Sequence, residues 1–480
     1  MDELLQEALD AASAAGASYA DARAVETRTE AIAVRGPTVE AVDASDSAGF
    51  GVRVLVDGAW GYAASALLEV AEARAVALTA VQVARASASA SRHPVELVPE
   101  PVHVDIWSTP VRRDPFSVAL EDKLALLTGA AEAMERVTGV HVAHAGMDLL
   151  RSVTRLHTSE GTRLVQTIIH SGAGIEATAV DEHDTQTRTY PGARGGFASG
   201  GYEVIEDLDL LGAAERTAEE AVALLRAPEC PDEIATLVLG GNQMMLQVHE
   251  SVGHPTELDR VLGIEAAFAG KSFVTAADAG GLRYGSELIN ITADATTPGG
   301  LGTFGYDDEG VAAQSIDLVR AGVLVGFQTS RETAALVGAA RSNGTMRAEG
   351  WENFPIIRMT NINLLPGEGT LEDLIADVDH GFYMETNRSW SIDDRRENFQ
   401  FGCEVGYEIR NGRLARLVKN PRYTGNTPVF WKSCDALAGA SEWRMWGTPN
   451  CGKGQPGQTM RVGHGTVPAR FIGVQVGVGR

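Results

Sequence analysis

Apolar residues recur at helical spacing over residues 2–15, and the chain then switches to short alternating runs at 30–34 and 51–56. A period of 3.6 predicts a helix with one buried face, and a period of two predicts half-buried strands. Asp57-Gly58, between the second run and Trp60-Gly61-Tyr62, predicts a tight hairpin. Residues 67–84 are again amphipathic and predict a second helix. After a Ser- and Pro-rich linker at 87–101 the order recurs: a helix over 117–137, strands near 140–143, 152–157 and 164–170, then a helix over 207–226. The expected class is α+β, with helices on one face of an antiparallel sheet and an internal helix–sheet–helix duplication as the candidate plan of the N-terminal domain.

Pro228 and Pro231 stop the last of these helices and stiffen the connection. Beyond them the texture changes. Residues 234–239 read as a buried strand ended by Gly240-Gly241, Asn242 is a candidate cap for the next helix, and a β-rich region then runs to 471–478. Two domains are expected: 1–228, α+β, and 232–480, β-rich.

The formal charge of −24 is spread along the chain and repels phosphate backbones and anionic membranes, so neither nucleic acid nor membrane is an expected partner. The first residues lack a basic start and an apolar middle, and no apolar run approaches a membrane span. Cys230, Cys403, Cys434 and Cys451 fit neither a disulfide framework nor a CxxC ribbon, which points to a reduced, cytoplasmic protein.

The densest chemistry is His249-Glu250-Ser251-Val252-Gly253-His254. Imidazole is the commonest protein ligand for metals such as zinc, and a neighbouring carboxylate can take a proton from the attacking water. The spacing departs from HExxH. At about 100° per residue, positions five apart differ by about 140°, so a regular helix cannot aim both rings at one ion. Pro255 disfavours helical dihedrals at His254, and Gly253 suits a helix end, so the helix is expected to finish near Val252 or Gly253. A catalytic zinc needs a third protein ligand. Of the thiols in the second half, Cys451 is best placed by context, in a Gly-rich stretch at 448–458 that reads as an irregular loop. Cys434 reads as a packed residue, and Cys403 sits in a strand-like stretch at 399–404. The reading is a zinc-dependent peptidase with Glu250 as general base.

With these residues in view, the chain resembles the TldD/PmbA family of metallopeptidases, on the TldD side. The resemblance rests on residues 249–260, on Asp307-Asp308-Glu309-Gly310, on 358–362 with 364–367, and on Asn450-Cys451-Gly452-Lys453-Gly454-Gln455. It implies a cytosolic protease acting on unstructured peptides in a closed dimeric cavity. It implies zinc held by His249, His254 and Cys451, with Glu250 as the acid/base. The family's other subunit type, PmbA or TldE, lacks the His-Glu motif, so a heterodimer is implied as well as a homodimer.

Other residues read more plainly. Gly452–Gly457 fits GxGxxG, but no βαβ unit surrounds it. Asp307-Asp308-Glu309 reads as a solvated turn rather than a second cation site. Glu257 and Asp259 are assigned a structural role ahead of orienting a ligand histidine. His464, in a Gly-rich stretch, is the one candidate substrate contact. The histidines of the first domain, His170 among them, are scattered. The rival reading is a non-catalytic peptide-binding or scaffolding subunit with a structural metal. A third has Cys451 as the nucleophile of a metal-free hydrolase.

Overall fold

The computed structural model describes residues 1–91, 93–268 and 270–477. The short alternating runs lie inside far longer strands. Tyr19–Arg35 and Thr38–Val56 form one antiparallel ribbon, and Val140–Thr158 and Arg163–Val180 form another. Burial changes along each strand, which hides the period. In Thr38–Val56, residues 49–56 are buried while 38–48 face outward. Asp57 and Gly58 both take positive φ and join Val56 to its cross-strand partner Ala59, the two-residue turn that the dipeptide predicts.

The two ribbons meet along Tyr19–Arg35 and Val140–Thr158, with Arg28 opposite Arg151, so both halves share one eight-stranded sheet. Helices Asp2–Ala14 and Val70–Ala88 pack on one half, and Leu120–Glu135 and Leu210–Arg226 on the other. Each pair closes its own apolar cluster, so the helix–sheet–helix plan is used twice. One pairing departs from the antiparallel expectation: Val104–Ser108 adds in parallel to Arg163–Val180 at the sheet edge.

The C-terminal region is β-rich and holds the largest apolar cluster. Five strands close into a barrel, in the order His380–Ile392, Glu233–Leu239, Ala469–Val476, Arg422–Asn426, Asn398–Arg410 and back to the first. Phe399, Phe401, Tyr423, Phe430 and Phe471 interlock in its core, with Phe430 stacked on Phe471 at 4.1 Å. The last strand ends at Val476; Val478, assigned to it from sequence, lies outside the described residues.

Asp307-Asp308-Glu309 is not a solvated turn. Asp307 and Glu309 are buried where the two halves of the chain meet. Asp308 pairs with Arg23 at 2.7 Å, and Glu309 with Arg53 at 3.2 Å. Arg188 reaches Glu404 at 2.9 Å in a second cross-pairing. Among the described residues, no helix is long and apolar enough to cross a membrane.

Candidate metal centre

The strand Glu233–Leu239 leads through Gly240 into the helix Gly241–Val248. Gly240 is the N-cap. Asn242, expected there, lies one residue inside the helix and instead brackets Thr386, donating to its Oγ1 at 2.8 Å and accepting its N–H at 3.0 Å. Barrel and helix are tied by a buried polar chain. Gln243 Nε2 donates to the Tyr423 hydroxyl at 3.0 Å, that hydroxyl donates to Gln247 Oε1 at 3.0 Å, and Gln247 Nε2 donates to Ser251 Oγ at 3.0 Å.

The helix does not stop at Val252 or Gly253, and His254 is not its first non-helical residue. One turn of π-helix spans His249–Gly253, followed by a 3-10 turn His254–Thr256, and His254 keeps helical dihedrals at φ −63 and ψ −42. The His254 N–H donates to the His249 carbonyl, an i to i+5 bond. The wider turn cancels the mismatch of about 140° in a regular α-helix and sets the two rings on one face. Side chains take up the carbonyls that the altered turn releases. Tyr284 donates its hydroxyl to Ser251 O, Thr256 Oγ1 donates to Val252 O at 2.8 Å, and Gln328 Nε2 donates to Gly253 O at 2.8 Å. Trp431 Nε1 donates to Ser251 Oγ at 2.9 Å. Gly253 is required by close approach, since a Cβ there would stand 2.3 Å from Met359 Sδ.

Cys451 reaches the same place from the barrel side. It lies on a strand, Arg444–Lys453, paired with Gln458–Thr466, and not on the irregular loop expected. The GxGxxG match is the turn of this hairpin. One ligand atom each from His249, His254 and Cys451 lies within 4.8 Å of the others, all three residues buried. Cys451 Sγ is 3.7 Å from His254 Nε2. Cys403 and Cys434 lie elsewhere in the barrel core, as packed residues.

Both imidazoles are gripped from behind. His254 Nδ1 is 2.8 Å from Glu257 Oε2, and His249 Nδ1 is 2.8 Å from His464 Nε2. Where Nδ1 donates in each of these contacts, Nε2 is the nitrogen left with a lone pair for a cation. Glu257 pairs with Arg260 at 3.7 Å, the structural role assigned to it, and contacts the motif histidine as well. Asp259 also takes the structural role, accepting from Lys453 Nζ at 2.7 Å. His464 is fully buried behind His249.

The electrostatics suit a soft cation. Burial pushes His249 down to about 4 and His254 well below the imidazole range, so both rings are neutral at about pH 7. Burial opposes ionisation of Cys451 as well, yet Arg358 and His254 hold its thiol below the ordinary value. At Cys434 burial outweighs the neighbouring Arg470, and the thiol is pushed up to about 12. Two neutral imidazoles and one thiol poised to ionise form a donor set that fits zinc.

Glu250 faces a small pocket of about 40 Å³, walled by Met245, Trp446 and Thr448 on one side and by Ala193 and Arg194 of the N-terminal region on the other. Arg396 Nη1 holds its Oε2 at 2.6 Å. Sequence reasoning missed Arg194 and Arg396, which lie far from the motif in the chain and in no recognisable pattern.

Comparison with known proteins gives first the class, a metallopeptidase. Models of PmbA/TldA metallopeptidase domains match the chain in order: domain 1 over residues 20–84, the central domain over 113–225, and the C-terminal domain over 235–473. The chain belongs to the PmbA/TldA metallopeptidase family. It is 30% identical over 461 residues to a metalloprotease of Methanothermobacter thermautotrophicus, covering 96% of this chain and 95% of that one. A zinc metalloprotease TldD homolog of Saccharolobus solfataricus is 27% identical over 254 residues, 52% of each chain. Among solved structures, TldE from Thermococcus kodakarensis superposes with a TM-score of 0.74 at 16% identity, covering 99% of this chain and 100% of that one, a likeness of fold.

Proposed function

We propose that this metallopeptidase is zinc-dependent, that His249, His254 and Cys451 hold the ion, and that Glu250 is its general base. The observation that carries this reading is the convergence of three buried ligand atoms within 4.8 Å, brought together by a π-turn. When bound, zinc supplies a Lewis acid that polarises the scissile carbonyl and acidifies a water. Everything else falls to the protein. Glu250, one residue from a ligand, takes the proton of the attacking water at its carboxylate and returns it to the leaving amine nitrogen. Arg396 keeps that carboxylate aimed. His464 and Glu257 fix the tautomer and tilt of the two rings, so His464 acts as a positioning residue, not a substrate contact.

The substrates are unstructured peptides, since Glu250 is buried and a peptide bond held in a folded domain would not reach it. The N-terminal domain, residues 1–228, lines the substrate cavity, and residues 232–480 carry the chemistry; Arg194 facing Glu250 across the pocket supports this division. The chain works in the cytoplasm as a dimer, either with itself or with a TldE-type partner, a pairing supported by the shared fold.

The test joins metal analysis to peptide cleavage. Purified protein should hold one zinc per chain, and chelation should abolish cleavage until zinc is restored. Glu250→Gln should keep zinc and fold while kcat falls by about 10²–10⁴-fold. Cleavage at the wild-type rate by that variant would overturn the assignment.

A further inference from the structure

A second cavity, of about 280 Å³, lies between the N-terminal sheet and the C-terminal domain. Pro449, Thr459 and Met460 line it, and Met460 is the cross-strand partner of Cys451, so it adjoins the metal centre. Its polar lining is cationic and short of partners. His170 is 3% exposed, and neither its Nδ1 nor its Nε2 has a hydrogen-bond partner. Arg461 gives one nitrogen to Asp148 at 2.5 Å, while its Nη1 is buried and unpartnered. Arg347, 7% exposed, donates from Nη1 to the Met359 carbonyl at 2.9 Å and makes no ion pair among the described residues.

The acids along the same walls are already engaged. Asp308 pairs with Arg23 at 2.7 Å, Glu349 accepts the Thr459 N–H at 2.7 Å, and Asp307 accepts backbone N–H groups of Glu309, Val311 and Met346. Burial and the neighbouring Arg358 push Arg347 down to about 10, and burial with Arg461 and Arg347 holds His170 well below the imidazole range. Asp308 acts on Arg347 in the opposite sense, but its carboxylate is already committed to Arg23. Unpaired buried donors are costly, and two guanidinium groups with one imidazole match the planar, two-oxygen form of a carboxylate.

We propose that this cavity binds a carboxylate of the peptide substrate, with Arg347 and Arg461 as the charged clamp and His170 as a further donor, and so selects peptides that carry an acidic group near the scissile bond. The proposal rests on the reading of the neighbouring cluster as the peptidase centre. The carboxylate has two sources, the peptide C-terminus or an Asp or Glu side chain.

The test reads binding without turnover. Zinc-loaded Glu250→Gln protein is titrated by fluorescence anisotropy with a labelled neutral peptide in three forms: free C-terminal acid, C-terminal amide, and the amide with one internal Asp. One of the acidic forms should bind at least about tenfold tighter than the neutral amide. The form that gains identifies the source. Adding Arg347→Gln, or separately Arg461→Gln, should reduce the preference below about threefold with affinity for the neutral amide kept. The Arg461 variant covers the case in which the more buried Arg347 is needed for folding. Equal affinity for all three forms, or a preference that survives Arg461→Gln, overturns the proposal. Failure of the peptidase reading looks different: zinc-loaded protein with Glu250 intact would cleave no peptide, whatever the binding preference.

Discussion

The rings of His249 and His254 stand edge to face, 4.9 Å between centroids and 86° between planes, although the residues are five apart on one helical segment. An α-helix cannot produce that relation. A single turn of π-helix does, and a buried shell of Tyr284, Trp431, Gln328 and Thr256 holds the turn in place. The approach of the two rings is therefore built by residues outside the proposed ligand set.

Ser251 is the hub of that shell. Ser251→Ala leaves Trp431 Nε1 and Gln247 Nε2 without their buried acceptor. A loss of about 1–3 kcal/mol in stability is expected. Urea denaturation with and without zinc checks it, and the loss should appear in both.

Gly253→Ala forces a methyl group against Met359, which is itself fully buried. The expected cost is about 1–3 kcal/mol, from overpacking. Met359→Ala in the same chain should recover part of it, so the double-mutant cycle should show coupling between the two sites. Strict additivity would place the clash elsewhere.

His464→Ala removes the group behind His249 and leaves all three proposed ligands in place. Zinc affinity should fall about 10–100-fold, as for other groups that orient a ligand imidazole. Competition with a chromogenic chelator measures it. At saturating zinc, activity should return towards that of the unsubstituted protein, which a substrate contact would not allow. Glu257→Gln should behave alike at His254.

Glu265 supplies a pH dependence away from the three proposed ligands. It accepts from Arg260 Nη2 at 3.1 Å and from the Gly454 N–H at 3.2 Å, and burial together with Glu257 raises its pKa to about 7 from 4.5. The folded state therefore holds this proton more tightly than the unfolded state. Its stabilising contribution is full below 4.5 and is lost as pH rises through about 7. Glu265→Gln mimics the protonated form. Wild type minus variant Tm should thus be more favourable at about pH 5 than at about pH 8, with thermal melts at both as the check.

Much of the fold was legible because it follows from local period and turn chemistry. The four long N-terminal helices, the Asp57-Gly58 hairpin and the change of texture after Pro231 are set by residues close together in the chain. The length of the ribbons was not legible, since residues 38–48 and 49–56 of one strand meet different surroundings. The buried state of Asp307 and Glu309 was hidden for the same reason: their partners Arg53, Arg331 and Met346 come from other parts of the chain.

Sequence by itself determined which atoms are available for chemistry: two imidazoles, one carboxylate and one thiol. Only tertiary structure decided how they meet. A backbone bond from His254 to His249 re-phases the helix, Arg358 draws down one buried thiol of the barrel while Cys434 is pushed up, and His464 arrives 215 residues along the chain to hold a ring. Local propensity acts over a few residues, whereas ligand geometry and proton affinity depend on packing and charge summed over everything that folds nearby.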